Sequence, residues 1–174
     1  MKLMFTFTSR ENSDYTYYAN VIQDPGMPIN GKPSYFWFGD ADNDVDGAPY
    51  WHEDPYGQSG TRWLYNGKAI NGDLIPYIVV PPQIIAVTPE IVGGCVATAE
   101  YKGSKVACVV GDSGPRSKIG EMSPAALRAL GLPAPHNGNG GLDTQEILYR
   151  IWPGVPARLE INGAIYQFSL QPSS

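Results

Sequence analysis

Residues 95–131 read CVATAEYKGSKVACVVGDSGPRSKIGEMSPAALRALG, and this segment carries the clearest structural signals of the chain. The residues from Cys95 to Val110, interrupted by Lys102-Gly103, predict a hairpin that turns near that dipeptide. A tight loop, Gly111-Asp112-Ser113-Gly114-Pro115, follows the hairpin, and residues 118–122 are predicted as a brief strand. This segment therefore indicates short strands joined by tight turns.

One clear helix follows the brief strand. Ser123 is a suitable N-cap, Pro124 occupies the first helical position, and Gly131 closes a helical body over residues 125–130. Residues 142–149 are predicted as a second short helix, after the Gly- and Asn-rich loop 136–141.

The rest of the chain predicts further strands and turns. They comprise strands at 3–6, 33–39 and 74–82, continued at 84–87, a turn at 24–26, and a terminal hairpin over 158–170 that turns at Asn162-Gly163. Gly (20) and Pro (16) are abundant and charged residues make up 17%, which is typical of short strands and many turns. We predict one mainly β domain over residues 1–174, with one or two short helices.

The charge restricts the partners. A net charge of −5 and a pI near 4.9 argue against a nucleic-acid or anionic-membrane partner, because those contacts need clustered Lys and Arg. No apolar run approaches the ~20 residues that span a bilayer, and residues 1–6 turn polar before a signal-like core forms. We expect a protein that acts outside the cytoplasm after specialised export or removal of a leader, and a cytoplasmic protein is the open alternative.

Cys95 and Cys108 are the only cysteines. The predicted hairpin makes them diagonal neighbours, with Cys108 nearest Ala97, so we favour two buried free thiols over a disulfide. With His52 and His136 84 positions apart and no Cys/His metal spacing, a zinc site is not expected.

Asp112 and Glu121 are the candidate catalytic residues. Hydrolysis of a glycosidic bond needs one carboxylic acid to protonate the leaving oxygen and one carboxylate to activate water or attack the sugar. Asp112 ends a predicted strand and Glu121 lies across the loop on the next one, which predicts both at one mouth of a β-fold. Taken alone, this spacing is also common for two solvated loop residues.

The chain contains four blocks that agree with one known family. They are Gly111–Pro115 with Ile119–Ser123, the acidic segment Asp40–Gly47, the strand Ile75–Val79, and residues 138–149. Taken in chain order, over roughly residues 35–152, the four blocks resemble the catalytic region of the fungal-type chitosanases, glycoside hydrolase family 75.

The resemblance implies inverting endo-hydrolysis of the β-1,4 bonds of chitosan or a similar amino-sugar polysaccharide. Inversion places the two carboxyl groups about 6.5–9.5 Å apart, which leaves room for the attacking water. We assign Glu121 as general acid and Asp112 as general base. The reverse assignment stays open, because the sequence does not show which carboxyl is desolvated.

A second resemblance concerns the fold. Asp112, Gly114-Pro115 and the run from Glu121-Met122-Ser123 to Leu130-Gly131 are similar to the double-psi β-barrels of rare lipoprotein A and the expansins, which also act on wall polysaccharides. That pattern usually has Asp where this chain has Glu121. The resemblance implies a six-stranded double-psi-type β-barrel.

The acidic segment has three interpretations. Asp42, Asp44, Asp46 and, after Gly47, Glu53 follow the spacing of an EF-hand loop, and a calcium site in some other loop geometry is the first interpretation. The second is that the acids receive the ammonium groups of glucosamine units, as the resemblance implies. The third is a solvated acidic turn. We expect no obligatory cofactor, with calcium as the alternative.

Aromatic residues near the acidic segment are candidate walls for sugar rings, which stack on exposed aromatic faces. They are Trp37, Trp51, Tyr56, Trp63 and Tyr65. Together with the four blocks, they make the following residues candidates for substrate binding: Asp40, Asp42, Asp44, Asp46, Trp37, Trp51, Tyr77, Asn139 and Asp143.

Two other functions remain open. One is a peptidoglycan glycan-strand hydrolase, delivered as a secreted toxin or phage lysis factor, which as a toxin would meet a cognate inhibitor protein. The other is a non-catalytic module that binds carbohydrate or calcium.

Overall fold

The computed structural model describes residues 1–172 and is mainly β. Its larger strands are β1 (Lys2–Arg10), β2 (Thr16–Ile29), β3 (Lys32–Asn43), β6 (Tyr77–Val80), β7 (Cys95–Tyr101), β8 (Ser104–Ser113) and β10 (Leu142–Pro156). The short strands are β4 (Leu64–Tyr65), β5 (Lys68–Ala69), β9 (Glu121–Met122), β11 (Arg158–Ile161) and β12 (Ala164–Gln167). Two short helices, α1 (Pro82–Ile85) and α2 (Pro124–Ala129), and a 3-10 turn at Trp51–Glu53 complete the described elements.

Six strands close into a ring. Its order is β3, β10, β7, β8, β6 and β9, and β9 pairs back onto β3. The β6–β8 and β3–β9 pairs are parallel and the other pairs in the ring are antiparallel. β2 and then β1 extend the sheet outward from β3, so this hairpin lies outside the ring.

The predicted hairpin of residues 95–110 is confirmed. Lys102 and Gly103 both have positive φ, as a two-residue turn between twisted strands requires. Ala97 pairs with Cys108, and Cys95 and Cys108 are free and buried. The terminal hairpin is confirmed as well, with its turn at Asn162-Gly163.

The predicted helix after Ser123 is also confirmed. The Ser123 hydroxyl accepts a hydrogen bond from the backbone N–H of Ala126 at 3.4 Å and one from Tyr77 at 2.9 Å, and it donates to the Ile75 carbonyl at 3.0 Å. The same side chain therefore starts α2 and holds it against β6.

Three local predictions are wrong. Residues 142–149 form part of β10 rather than a helix, because β10 pairs with β3 on one side and with β7 on the other. Residues 84–87 do not continue the preceding strand, because the prolines before them start α1. Asp24-Pro25-Gly26 lies within β2, and the chain turns later, at Asn30-Gly31.

The main core contains aromatic residues of β3 and β10. Trp37 stacks on Tyr149 with ring centroids 5.6 Å apart and is 1% exposed, whereas Phe38 on the other face of β3 is 48% exposed. The Tyr35 and Trp37 face of β3 is therefore the inner one. None of the helices within residues 1–172 has the length and apolarity needed to cross a membrane.

Candidate functional site

A groove of about 300 Å³ opens where β3, β8 and β9 meet. Most of the residues that line it are polar: Asn43, Asp44, Asp46, Asp54, Tyr56, Gln58, Val79, Ser113, Gly114, Pro115 and Glu121. The end of β3 at Asn43, the end of β8 at Ser113 and the start of β9 at Glu121 bring distant parts of the chain to this groove. We name it the acidic groove.

Glu121 lies at the floor of the acidic groove. Its backbone pairs with Asp42 of β3 on one side and with Val79 of β6 on the other, so two strands hold it. Burial raises the pKa of the Glu121 carboxyl to about 8, the charges of Asp42 and Asp112 add to this, and Lys118 opposes it. Glu121 is therefore largely protonated at neutral pH.

Asp112 has different surroundings, although it is only 5% exposed. Its Oδ1 accepts hydrogen bonds from the backbone N–H groups of Arg62 at 2.8 Å and Ser113 at 3.0 Å. Two such donors hold the Asp112 side chain in one orientation. The two carboxyl groups therefore differ in environment, since Glu121 is buried with a raised pKa and Asp112 is fixed by backbone N–H groups.

Asp44 and Asp46 lie beside Asp112. One carboxyl oxygen from each of the three lies within 4.8 Å of the others, close enough for one cation to contact all three. Burial, and next the charge of Asp112, raise the pKa of Asp46 to about 7 and hold the pKa of Asp44 well above its usual range. The Tyr77 hydroxyl contacts the carbonyls of Asp44 at 3.2 Å and Asp46 at 2.8 Å and so holds this loop.

A second cavity, of about 460 Å³, lies beside Asp40 and Asp42 of β3. It is lined by Glu11, Asn12, Tyr15, Asp40, Asp42, Lys118 and Asp143. Carboxyl oxygens of Glu11, Asp40 and Asp42 lie within 4.8 Å of one another, and Lys118 is 3.8 Å from Asp42. We name it the lysine-side cavity.

The predicted calcium ligands are not brought together. Asp42 belongs to the lysine-side cavity, whereas Asp44 and Asp46 face the acidic groove. Glu53 lies on the 3-10 turn, where it contacts His136 at 3.4 Å. The carboxyl oxygens instead form two groups, Asp44 and Asp46 with Asp112, and Asp42 with Glu11 and Asp40.

The predicted substrate-binding residues are dispersed. Trp37 is wrong as a groove wall, because it lies in the core. Tyr77 is fully buried, and its hydroxyl contacts the carbonyl of Asp46 in the loop that follows β3. The Asn139 carbonyl accepts a hydrogen bond from Asn43 at 2.9 Å, and Trp51, 36% exposed, lies on the 3-10 turn.

Asp40 and Asp143, the remaining predicted binding residues, line the lysine-side cavity rather than the acidic groove. No sequence motif identifies Gln58 in the groove or Glu11 and Lys118 in the second cavity. Glu11 lies in a segment with no motif, and Lys118 opens the brief strand predicted at residues 118–122, so only the path of the chain brings the two together.

No protein-family model and no curated protein matches the chain. The resemblance to the chitosanases therefore stays a prediction.

Proposed function

We propose that this protein is an endo-acting glycoside hydrolase that cleaves β-1,4 bonds of a chitosan-like amino-sugar polysaccharide with inversion. The observation that carries the proposal is the pairing of a buried Glu121, with its pKa raised to about 8, with Asp112 held by two backbone N–H groups. It favours Glu121 as the acid and Asp112 as the base.

In this mechanism Glu121 donates its proton to the glycosidic oxygen as the bond between that oxygen and the anomeric carbon breaks. Asp112 accepts a proton from a water molecule, whose oxygen bonds to the anomeric carbon from the opposite face. Glu121 is then ionised and Asp112 protonated, and exchange with solvent restores both. Asp112 Oδ2 is the oxygen left for this water, because the two backbone N–H groups occupy Oδ1.

The charge of the groove supports an amino sugar as substrate. Asp44, Asp46 and Asp54 line the groove near Glu121, and the charge of Asp112 contributes to the raised pKa of Asp44 and Asp46. A bound ammonium group would relieve this repulsion, favour the charged forms of these carboxyl groups and be attracted by them. Asp44→Asn should therefore raise KM on chitosan several-fold and leave KM on a neutral glycan nearly unchanged. Equal effects on both glycans would refute ammonium recognition.

A substrate panel tests the proposed function. The wild-type protein should release reducing ends from chitosan faster than from chitin or peptidoglycan, and NMR of the first product should show inverted anomeric configuration. Asp112→Asn and Glu121→Gln should each lower turnover by at least about 10³-fold with melting temperatures near wild type, because both replacements are isosteric. The exposed Glu160 of β11 offers the control Glu160→Gln, which should retain full activity.

Two outcomes of these experiments would contradict the proposed function. Preferred release from peptidoglycan would favour the wall-hydrolase alternative. Retained activity in both carboxyl variants would refute the catalytic pair.

A cation-dependent carbohydrate-binding module is the second candidate. It is supported by the carboxyl oxygens of Asp44, Asp46 and Asp112, which lie within 4.8 Å of one another. This candidate predicts that calcium raises the melting temperature and the affinity for a glycan, with no release of reducing ends from any substrate. Release from chitosan in the presence of a chelator would refute it.

We also propose that the ring of six strands is a double-psi-type β-barrel. The closure of the ring and its two parallel pairs, β3–β9 and β6–β8, support this assignment. An experimental structure in which β9 fails to pair with β3 would contradict it.

A further inference from the structure

The segment that leads into Glu121 is held by the hairpin outside the ring. The backbone N–H of Arg10 donates to the Ser117 carbonyl at 2.8 Å. The N–H of Ile119 donates to Ser9 Oγ at 3.1 Å, and the Tyr17 hydroxyl contacts the Ile119 carbonyl at 2.5 Å. β1 and β2 therefore determine the path of the chain just before the proposed acid.

Tyr17 has three polar contacts and only one hydroxyl hydrogen. They are the Ile119 carbonyl at 2.5 Å, the Asp40 backbone N–H at 3.2 Å and Asp40 Oδ1 at 3.0 Å. A carbonyl only accepts, so the hydroxyl hydrogen goes to Ile119, and the hydroxyl oxygen accepts from the Asp40 N–H. The contact with Asp40 Oδ1 is then a hydrogen bond only if Oδ1 carries a proton and donates it.

The surroundings of Asp40 agree with a neutral carboxyl group. The side chain is 1% exposed, and the carboxyl groups of Glu11 and Asp42 lie beside it. Burial, and next the charge of Asp42, raise the pKa of Asp40 to about 9. Lys118 lines the same cavity, and its nearest carboxyl contact is Asp42 at 3.8 Å.

Gly120 packs directly against these two side chains. A Cβ added to Gly120 would lie 2.5 Å from Asp40 Oδ1 and 2.8 Å from the Tyr17 hydroxyl, and φ at this glycine is +98°. The Gly120 carbonyl in turn accepts the N–H of Asp42 at 2.8 Å. Movement of Tyr17 or Asp40 would thus be transmitted to the residue that precedes Glu121.

We propose that Tyr17 and a protonated Asp40 form a clamp on Ile119-Gly120 that positions the carboxyl group of Glu121. Both are positioning residues, and Asp40 acts as a hydrogen-bond donor within the fold rather than as a charged ligand for an ammonium group. The consequence for turnover rests on the proposed role of Glu121 as the acid.

Tyr17→Phe removes the donor to Ile119 and provides the first test. We expect kcat on chitosan to fall about 10–100-fold and KM to change less than about 2-fold, because a small displacement of an acid affects the chemical step more than binding. Tyr18→Phe is the matched control, since Tyr18 is the next residue and is 66% exposed. A wild-type kcat for Tyr17→Phe, or an equal loss in the control, would overturn the clamp.

Asp40 provides a sharper test, because Asn and Ala separate its two roles. Asp40→Asn keeps a neutral side chain with a donor toward Tyr17, so kcat and KM should stay within about 3-fold of wild type. Asp40→Ala loses the donor, and kcat should fall about 10–100-fold. If Asp40→Asn raised KM on chitosan and left kcat unchanged, Asp40 would bind ammonium as a carboxylate, which contradicts its role in the clamp. If both variants lost kcat equally, the donor role of Asp40 would be refuted.

Amide hydrogen exchange tests the clamp without any enzyme activity. Exchange at Ile119 and Glu121, followed by NMR, should be at least about 10-fold faster in Tyr17→Phe and Asp40→Ala than in wild type, because local opening becomes easier. It should be unchanged in Asp40→Asn and Tyr18→Phe. If wild type cleaves no glycan, the proposed function fails while this measurement still decides the clamp, and unchanged exchange in all four variants would refute it.

Discussion

Replacing Gly114 with Ala should impair catalysis while leaving the fold intact. A Cβ at this position would lie 2.6 Å from Glu121 Oε2 and 3.2 Å from a methyl group of Val79. Ordinary contacts begin near 3.4 Å, so the Glu121 carboxyl must move by about 0.8 Å, the difference between 3.4 and 2.6 Å. This costs little stability, because the displaced atom is the end of a flexible side chain.

The displacement matters for the reaction because Glu121 must reach the glycosidic oxygen. A misplacement of about 1 Å lowers rates by up to about 10²-fold, so we expect kcat on chitosan to fall about 10–100-fold, or about 1.4–2.7 kcal/mol in activation free energy. The assay is release of reducing ends at saturating chitosan, alongside the melting temperature. The melting temperature should fall by less than about 3 °C.

Gly60→Ala is the matched control, because a Cβ at Gly60 would meet nothing within 4 Å. It should retain wild-type kcat. A wild-type kcat for Gly114→Ala, with the added methyl accommodated, would refute the assignment of Glu121 as a positioned acid. If Gly114→Ala lost activity only together with a large fall in melting temperature, the steric explanation would be refuted.

Four further predictions concern pH, packing and the loop of the acidic groove. The pKa of Glu121 in the folded state is raised from its ordinary 4.5 to about 8, so the folded state binds this proton more tightly than the unfolded state does. The free energy of unfolding should therefore decrease as the pH rises from 4.5 to 8. Thermal melts of Glu121→Gln should show a smaller decrease over the same pH range. The kcat should also decline above about pH 8, as the acid ionises, and a rate that rises there would contradict the assignment. Trp37→Ala should cost about 3–5 kcal/mol in chemical denaturation, whereas Trp51→Ala should cost less than about 1 kcal/mol; similar losses would contradict the burial difference. Tyr77→Phe should cost about 1–3 kcal/mol, since it removes the hydroxyl that contacts the Asp44 and Asp46 carbonyls, and an unchanged denaturation midpoint would contradict this role.

Local signals in the sequence were sufficient for the elements that depend on near neighbours. The hairpin turns at Lys102-Gly103 and Asn162-Gly163 and the start of α2 at Ser123-Pro124 were predicted correctly, because turn and cap chemistry acts over a few residues. The acidic character of the site could also be predicted from the sequence, because it depends on amino-acid composition. In contrast, residues 142–149 form a strand only because β3 and β7 are available on both sides, which tertiary pairing decides.

Some features of the candidate site likewise follow from the sequence, whereas others follow only from the fold. The sequence by itself determined that Asp112 and Glu121 follow one another across a short loop and that many acids lie near Asp42. Only the tertiary structure decided that Asp42 and Asp44 line different cavities, because residues from distant parts of the chain form each cavity. It also decided that Ser9 and Tyr17, more than 100 positions earlier, hold Ile119 in place. Contacts at such separation are set by the pairing of whole strands, which no local pattern of residues specifies.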